Sequence, residues 1–370
     1  YINKLLKKAD EHIGGSEKAF ELPQDMILPE TLEWDPVHEQ FLVGTVHGGN
    51  IARVSREGER VKSAPQFDTE DAWSIFDLEV DPERGHLWAS TTAVGQYVDY
   101  KQSLYGKAAL LRFDLESGKL QQRYELKPDG ERHGWGNLAL ASDGTVYIAD
   151  IRSPYLYVLE ADAESPRKLL KNPYLANTRG MALDEKRGLL YVADRNLGIN
   201  FVDIAEGELY RVGTAQQINL GGIDGLDVWN DHLIMVQNGI RPSRVMLLRM
   251  SDDGRRIQAQ KALEVSNPHF DGPTYGAIVG DMYYYLAANQ WPAFDTNGNR
   301  RPGTSLDPVP VLRVPLEPVP PDAGKPPEVP DKYKRRMQSI DATPGASQQG
   351  DAAVPHESAE TETIEKDVDG

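Results

Sequence analysis

Six times along the chain, a short segment recurs in which an apolar or aromatic run meets an acidic or Gly-rich turn, then a strand ending in a polar residue. The copies span 28–46 (LPETLEWDPVHEQFLVGTV), 75–90 (IFDLEVDPERGHLWAS), 135–150 (WGNLALASDGTVYIAD), 178–194 (TRGMALDEKRGLLYVAD), 223–237 (IDGLDVWNDHLIMVQ) and 273–289 (PTYGAIVGDMYYYLAAN). Strand–turn–strand content repeated at roughly forty to fifty residues predicts an all-β, six-bladed β-propeller, each copy being one blade. In such a ring the same position of every copy faces one central channel. Six equivalent residues therefore form a ring of candidate ligands or reactive groups.

Bulk properties narrow the function. The 370 residues are 39% hydrophobic and 26% charged, and no apolar stretch approaches the ~20 residues of a membrane-spanning helix. A net charge of −17 argues against nucleic acid or an anionic membrane as partner, since both attract basic patches. With no cysteine, disulfides, thiolate metal sites and cysteine nucleophiles are excluded. The chain begins at Tyr1 rather than Met, which is consistent with a removed leader and favours a periplasmic or secreted location over a cytoplasmic one.

Flanking segments differ from the repeats. Residues 1–15 (YINKLLKKADEHIGG) set Ile2, Leu5, Leu6, Ala9 and Ile13 at helical spacing before a Gly-Gly stop, so 1–18 is expected to be a short N-terminal helix and linker. Residues 19–27 (AFELPQDMI) are expected to be extended and to complete the last blade, closing the ring. The propeller is placed at 19–317, with insertions at 91–107 and 291–308 on loops, where function commonly resides. From Pro318 the pattern stops. Residues 318–370 are Pro-rich, then rich in Ala, Ser, Thr, Gln and acids, and read as a disordered acidic tail. A solvated spacer is its plainer role; a protein partner docking on the Pro-rich part is the sharper one.

Aligned on the inner-strand apolar residue, the six copies stack Glu30, Phe76, Gly136, Arg179, Asp224 and Thr274 at the channel mouth. The residues just after them are Thr31, Asp77, Asn137, Gly180, Gly225 and Tyr275. Two carboxylates, Glu30 and Asp224, thus converge on one axis, with Asp77 and Asn137 displaced by one residue.

These segments resemble the SMP-30/gluconolactonase/LRE-like family, six-bladed propellers related to paraoxonase- and strictosidine-synthase-like proteins. LPETLEWD is similar to that family's P-E-G-x-x-W-D element, TRGMALDEKRGLLYVAD to its N-G-L-A-W-S…L-Y-V-x-D element and IDGLDV to its P-D-G-M element. The resemblance covers about residues 20–317. It implies a divalent cation, often calcium, held in the channel by a Glu, one or two Asn and an Asp, and polarising a lactone carbonyl. Carried over, Glu30 and Asn137 would be metal ligands, and Asp224 a ligand and the catalytic base. The chain departs from the pattern at Gly136 and Arg179, where the family has asparagines. A guanidinium has no lone pair to give a metal.

Two readings follow. In one, hard oxygens of Glu30, Asp224, Asn137 and Asp77 hold Ca²⁺ or another divalent cation, Arg179 and Tyr275 bind substrate, and the protein hydrolyses a small lactone or ester. In the other, Arg179 replaces the metal and the propeller binds a small-molecule ligand or partner without catalysis. His133 and His47 are loop histidines near the mouth; His133 is the candidate proton shuttle, although most loop histidines only hydrogen-bond. Asp150 and Asp194, ending the YIAD and YVAD strands, read as structural. Trp73, Trp135 and Trp291 fit either the mouth or the core between blades. The run at 295–299 (DTNGN) starts like an EF-hand loop, but Arg300 and Leu306 stand where Gly and Glu are needed, so it reads as a turn. No nucleophile elbow, zincin, P-loop or dinucleotide motif is present.

Overall fold

A computed structural model describes residues 10–126, 129–214 and 218–321. They form six sheets, one per repeat and antiparallel except for the short Gly213–Thr214 pairing in blade 5, in a six-bladed all-β propeller. Blade 1 has three strands, Pro29–Asp35, Gln40–Thr45 and Ile51–Val54. Blade 2 runs through Ser74–Asp81, His86–Thr92, Ala108–Asp114 and Leu120–Glu125; blade 3 through Trp135–Leu140, Val146–Asp150, Tyr155–Leu159 and Arg167–Lys171. Blade 4 comprises Thr178–Asp184, Leu189–Asp194, Gly198–Asp203 and Glu208–Arg211. Blade 5 comprises Ile223–Trp229, His232–Gln237, Arg244–Met250 and Arg256–Val265, and blade 6 Gly276–Val279, Met282–Leu286 and Pro310–Pro315.

The ring closes as expected. Glu17–Glu21 adds antiparallel to Pro310–Pro315 and becomes the fourth strand of blade 6, so the first and last strands share one sheet. Burial is distributed rather than central. The apolar faces of neighbouring blades pack together in six clusters, such as Leu42 with Ile75 and Leu87 between blades 1 and 2, and Leu233 with Tyr191 between blades 5 and 4. Because the apolar surface is spent between blades, the axis is left to polar residues.

The predicted N-terminal helix is not borne out. Residues 1–9 lie outside the described residues. From Asp10 the chain makes a turn, and Ile13–Gly14 then pairs with Val265 and Glu264 at the outer edge of blade 5. Among the described residues, helical structure is confined to single 3₁₀ turns at Gln102–Leu104, Pro173–Leu175 and Trp291–Ala293. The edge wins because it offers partners that a lone short helix lacks. The wholly buried Glu264 accepts from the Ser16 amide at 2.8 Å and is bonded to His12. Gly14, at φ +147°, comes so near Leu263 O that a Cβ there would sit 2.7 Å from it. The predicted tail beyond residue 321 lies outside the described residues.

Candidate site in the central channel

The mouth is built by irregularities in the inner strands. In blades 1 to 5 the ladder between inner strand and neighbour slips once, and the slip falls on Glu30, Phe76, the Gly136–Asn137 pair, Arg179 and Asp224. A bulge sets two residues opposite one, turning a side chain out of the ladder. The six aligned positions are thus not simply the first residues of flat strands.

Glu30, Arg179 and Asp224 line one opening of about 520 Å³, together with Arg195, Asn238 and Trp291. Glu30 is 5% exposed, and its Oε2 accepts from Trp291 Nε1 at 2.6 Å. Burial first, and the nearby Asp224 charge second, push its carboxyl up to about 8, against the pull of Trp291 and the Arg179 charge. Trp291 comes from the blade 6 insertion. That loop is held against the blade 2 insertion, where Gln96 Nε2 donates to Asp295 O at 2.7 Å. Gly298, at φ +80°, lies so close to the Gly95 carbonyl that no side chain could stand there. The DTNGN run is a turn, as its sequence indicated: Asp295 Oδ1 accepts from the amides of Asn297 and Asn299, each at 2.9 Å.

Asp224 is fully engaged. Arg195 Nη1 donates to its Oδ1 at 2.6 Å, Asn238 Nδ2 to its Oδ2 at 2.5 Å, and Arg195 Nη2 to Asn238 Oδ1 at 2.8 Å. The cation on this carboxylate is therefore Arg195, not Arg179 as the metal-free reading supposed. Arg179 spends its Nε on Asn177 Oδ1 at 3.3 Å, and among the described residues its two Nη groups meet no acceptor.

Below the mouth, a cavity of about 40 Å³ holds room for a water or two. Asn137 and Tyr275 belong here. Asn137 Nδ2 donates to Tyr275 OH at 2.7 Å, and Tyr275 OH donates to the Arg179 carbonyl at 2.9 Å, a strut joining blades 3, 6 and 4 across the axis. Burial, then the charges of Asp224, Glu30 and Asp77, hold the Tyr275 hydroxyl far above its usual range. Asn137 is 1% exposed, and its Oδ1 has no partner among the described residues.

The cavity wall also carries Glu33, Asp77, Glu79 and Asp227. Asp77 accepts from the Leu138 and Leu78 amides at 2.9 and 3.0 Å, and from Thr31 Oγ1 at 3.1 Å. Even so, burial pushes it up to about 7. Asp227, which accepts from Tyr283 OH at 2.8 Å, is pushed up to about 7 by burial. Glu33 and Glu79 are raised well above the carboxylate range by burial and by their acidic neighbours. Of these acids only Asp77 was picked out from the sequence; Glu33, Glu79 and Asp227 were missed, although the signal was there. Three residues on from the mouth ring, the six copies read Glu33, Glu79, Ala139, Ala182, Asp227 and Ala277.

The residues the family would use for a metal do not fit one in this arrangement. Glu30 and Asp224 face the mouth, whereas Asn137 lies below it in the strut. Both Asp224 oxygens are committed to donors, and Ile151 fills the space a side chain at Gly136 would take, 2.2 Å from its Cβ position. Among the described residues, no three carboxylate or imidazole groups converge as ligands.

The structure puts His133 elsewhere. It is 2% exposed in blade 3, with Nδ1 2.6 Å from Asp150 Oδ2 and Nε2 2.9 Å from Asp129 Oδ1, and it does not line the mouth. Asp150 and Asp194 are structural: Asp150 Oδ1 accepts from the amides of Gly134, Arg152 and Ser153, and Asp194 from those of Asn177, Asn196 and Leu197.

No family model matches the chain, and no curated protein matches it in sequence. Solved structures do match. A gluconolactonase from Xanthomonas campestris aligns with TM-score 0.53 at 14% identity over 82% of this chain and 89% of its own. The PQQ-bound aldose sugar dehydrogenase of Streptomyces coelicolor gives 0.52 at 14%, over 83% and 99%. The Malassezia sympodialis allergen Mala s 1 gives 0.55 at 15%, over 82% and 96%. A lactonase, a dehydrogenase and an allergen share this architecture, so at such identities the likeness is one of fold alone.

Proposed function

We propose that the channel mouth binds and hydrolyses a small ester or lactone, with Glu30 as the proton-transfer group. The observation that carries this reading is a carboxyl buried to 5% exposure, which burial pushes up to about 8, in an opening that also holds Trp291 and Arg179. A general base or acid works best when its pKa is near the working pH. In the ionised form, Glu30 takes a proton from water as that water attacks the carbonyl carbon. The Arg179 guanidinium offsets the negative charge gathering on the carbonyl oxygen. When the intermediate collapses, the carbon–oxygen bond to the leaving alkoxide breaks and Glu30 returns its proton to that oxygen. Trp291 Nε1 keeps the carboxyl in place. Since the donor set does not fit a metal, no step is routed through one.

A panel of lactones and aryl esters, with the pH dependence of kcat/KM, tests the reading. Turnover of none of them would sink it. The second reading, a non-catalytic ligand-binding propeller with guanidinium in place of metal, is favoured by one observation: Arg195 already neutralises Asp224 at 2.6 Å. Ligand binding without turnover would select it.

A further inference from the structure

The mouth contains two arginines in opposite conditions. Arg195 is spent, with one Nη on Asp224 and the other on Asn238. Arg179 is held but unspent. Its backbone carbonyl is pinned by Tyr275 OH at 2.9 Å and its Nε by Asn177 Oδ1 at 3.3 Å, while neither Nη meets an acceptor among the described residues. The side chain is only half-exposed and lines the opening, so the fork has lost part of its water without gaining an internal partner. An Arg in that state lacks the two parallel N–H···O bonds that its planar fork is shaped to make.

Apart from the Asp271 carboxylate, the other polar side chains of the mouth are already paired among the described residues. Asn238 serves Asp224 and the Pro273 carbonyl at 3.0 Å; Asn289 donates to Gly272 O at 2.8 Å and accepts from the Trp291 amide at 3.2 Å. The unmatched cation of the opening is therefore a fork beside an indole wall.

We propose that this site takes a small molecule bearing a carboxylate, held bidentately by the Arg179 fork. A carboxylate suits it better than a phosphate because the same opening carries Glu30, Asp224 and Asp271. Among the described residues Arg179 is the one mouth cation without an ion-pair partner, and a single such charge balances a monoanion and opposes a dianion. Hydrolysis of an ester would generate such a carboxylate next to the fork. The assignment rests on the mouth being the ligand site, and it holds whether or not turnover occurs there.

Calorimetry on the full chain tests it with matched pairs: gluconate against sorbitol, 4-hydroxybutyrate against 1,4-butanediol, and benzoate against benzyl alcohol, with inorganic phosphate as a separate arm. At least one carboxylate is expected to bind ten-fold or more tightly than its alcohol. Arg179→Ala should erase that preference, and Arg179→Lys, which keeps the charge and loses the fork, should recover only part of it. Melting of each variant checks the fold, and Arg179→Gln replaces any that does not fold. Glu30→Gln should retain carboxylate binding while losing turnover, which separates failure of this proposal from failure of the hydrolase reading. The proposal is overturned if no pair separates ten-fold, if Arg179→Ala binds carboxylate like the parent, or if phosphate displaces the carboxylates in an Arg179-dependent way.

Discussion

The mouth and the cavity beneath it are two levels of one stack of inner-strand residues, and they surround their acids with different partners. In the mouth, Asp224 is met by a guanidinium at 2.6 Å and an amide at 2.5 Å, and Arg179 acts on Glu30. One to three positions further along the strands, Asp77, Glu33, Glu79 and Asp227 share a 40 Å³ cavity, and only burial, hydrogen bonds and one another shape their titration. Acids without a cation, in surroundings made mostly of protein, shed charge by keeping protons. The Asn137–Tyr275–Arg179 strut divides the two levels. Burial raises Glu30 above the strut as well, to about 8, so the levels differ in the cations and donors within reach rather than in whether an acid keeps its proton.

The largest expected effect lies above. Glu30→Gln should lower kcat/KM for any lactone or ester substrate by about 10²-fold or more. In the parent, kcat/KM should rise with pH and level off above about 8, as the base form fills. A flat profile in initial-rate measurements would remove Glu30 from the chemistry. Next comes the divider. Tyr275→Phe strands Asn137 Nδ2 and the Arg179 carbonyl, and should cost about 2 kcal/mol in urea unfolding.

Below the strut the effect depends on pH. The native pKa of Asp227, about 7, exceeds the unfolded value of about 3.9, so the native state binds more protons between these values. Its stabilising contribution is complete below about pH 4 and is lost as pH rises through 7. Asp227→Asn keeps an acceptor for Tyr283 OH and removes the titration. It should gain about 2–3 kcal/mol on the parent between pH 5 and pH 8, read from paired denaturation curves. Equal curves at both pH values would show that the cavity acids are not the protonated level. Smallest of all, chelator should change turnover less than two-fold, because both Asp224 oxygens are already held. A large loss would mean that Arg195 yields Asp224 to a cation.

Much of this was legible in the sequence. The repeat fixed six blades, a closing strand was expected at 19–27 and forms instead at Glu17–Glu21, and the register brought out Glu30, Arg179 and Asp224, which do share one opening. The +3 register held Glu33, Glu79 and Asp227 as well, set against alanines in the other three blades, and only needed reading one layer deeper. Helical spacing misled at the N-terminus, because apolar periodicity over fifteen residues carries no knowledge of an unpaired sheet edge at Val265.

By itself, the chain determined everything that depends on local pattern: strand period, blade count, and which residue types face the axis at each level. Tertiary structure alone decided which charges meet. Arg195 and Asp224 lie 29 residues apart in neighbouring repeats, and Trp291 and Glu30 lie 261 apart, joined only once the ring closes. Arg179 is one bulge away from Asp224 in register, yet among the described residues its Nη groups meet no acceptor, while the loop after the YVAD strand brings Arg195 to Asp224. A repeat sets position around an axis, whereas the partner of a side chain depends on loops and bulges that the repeat does not encode.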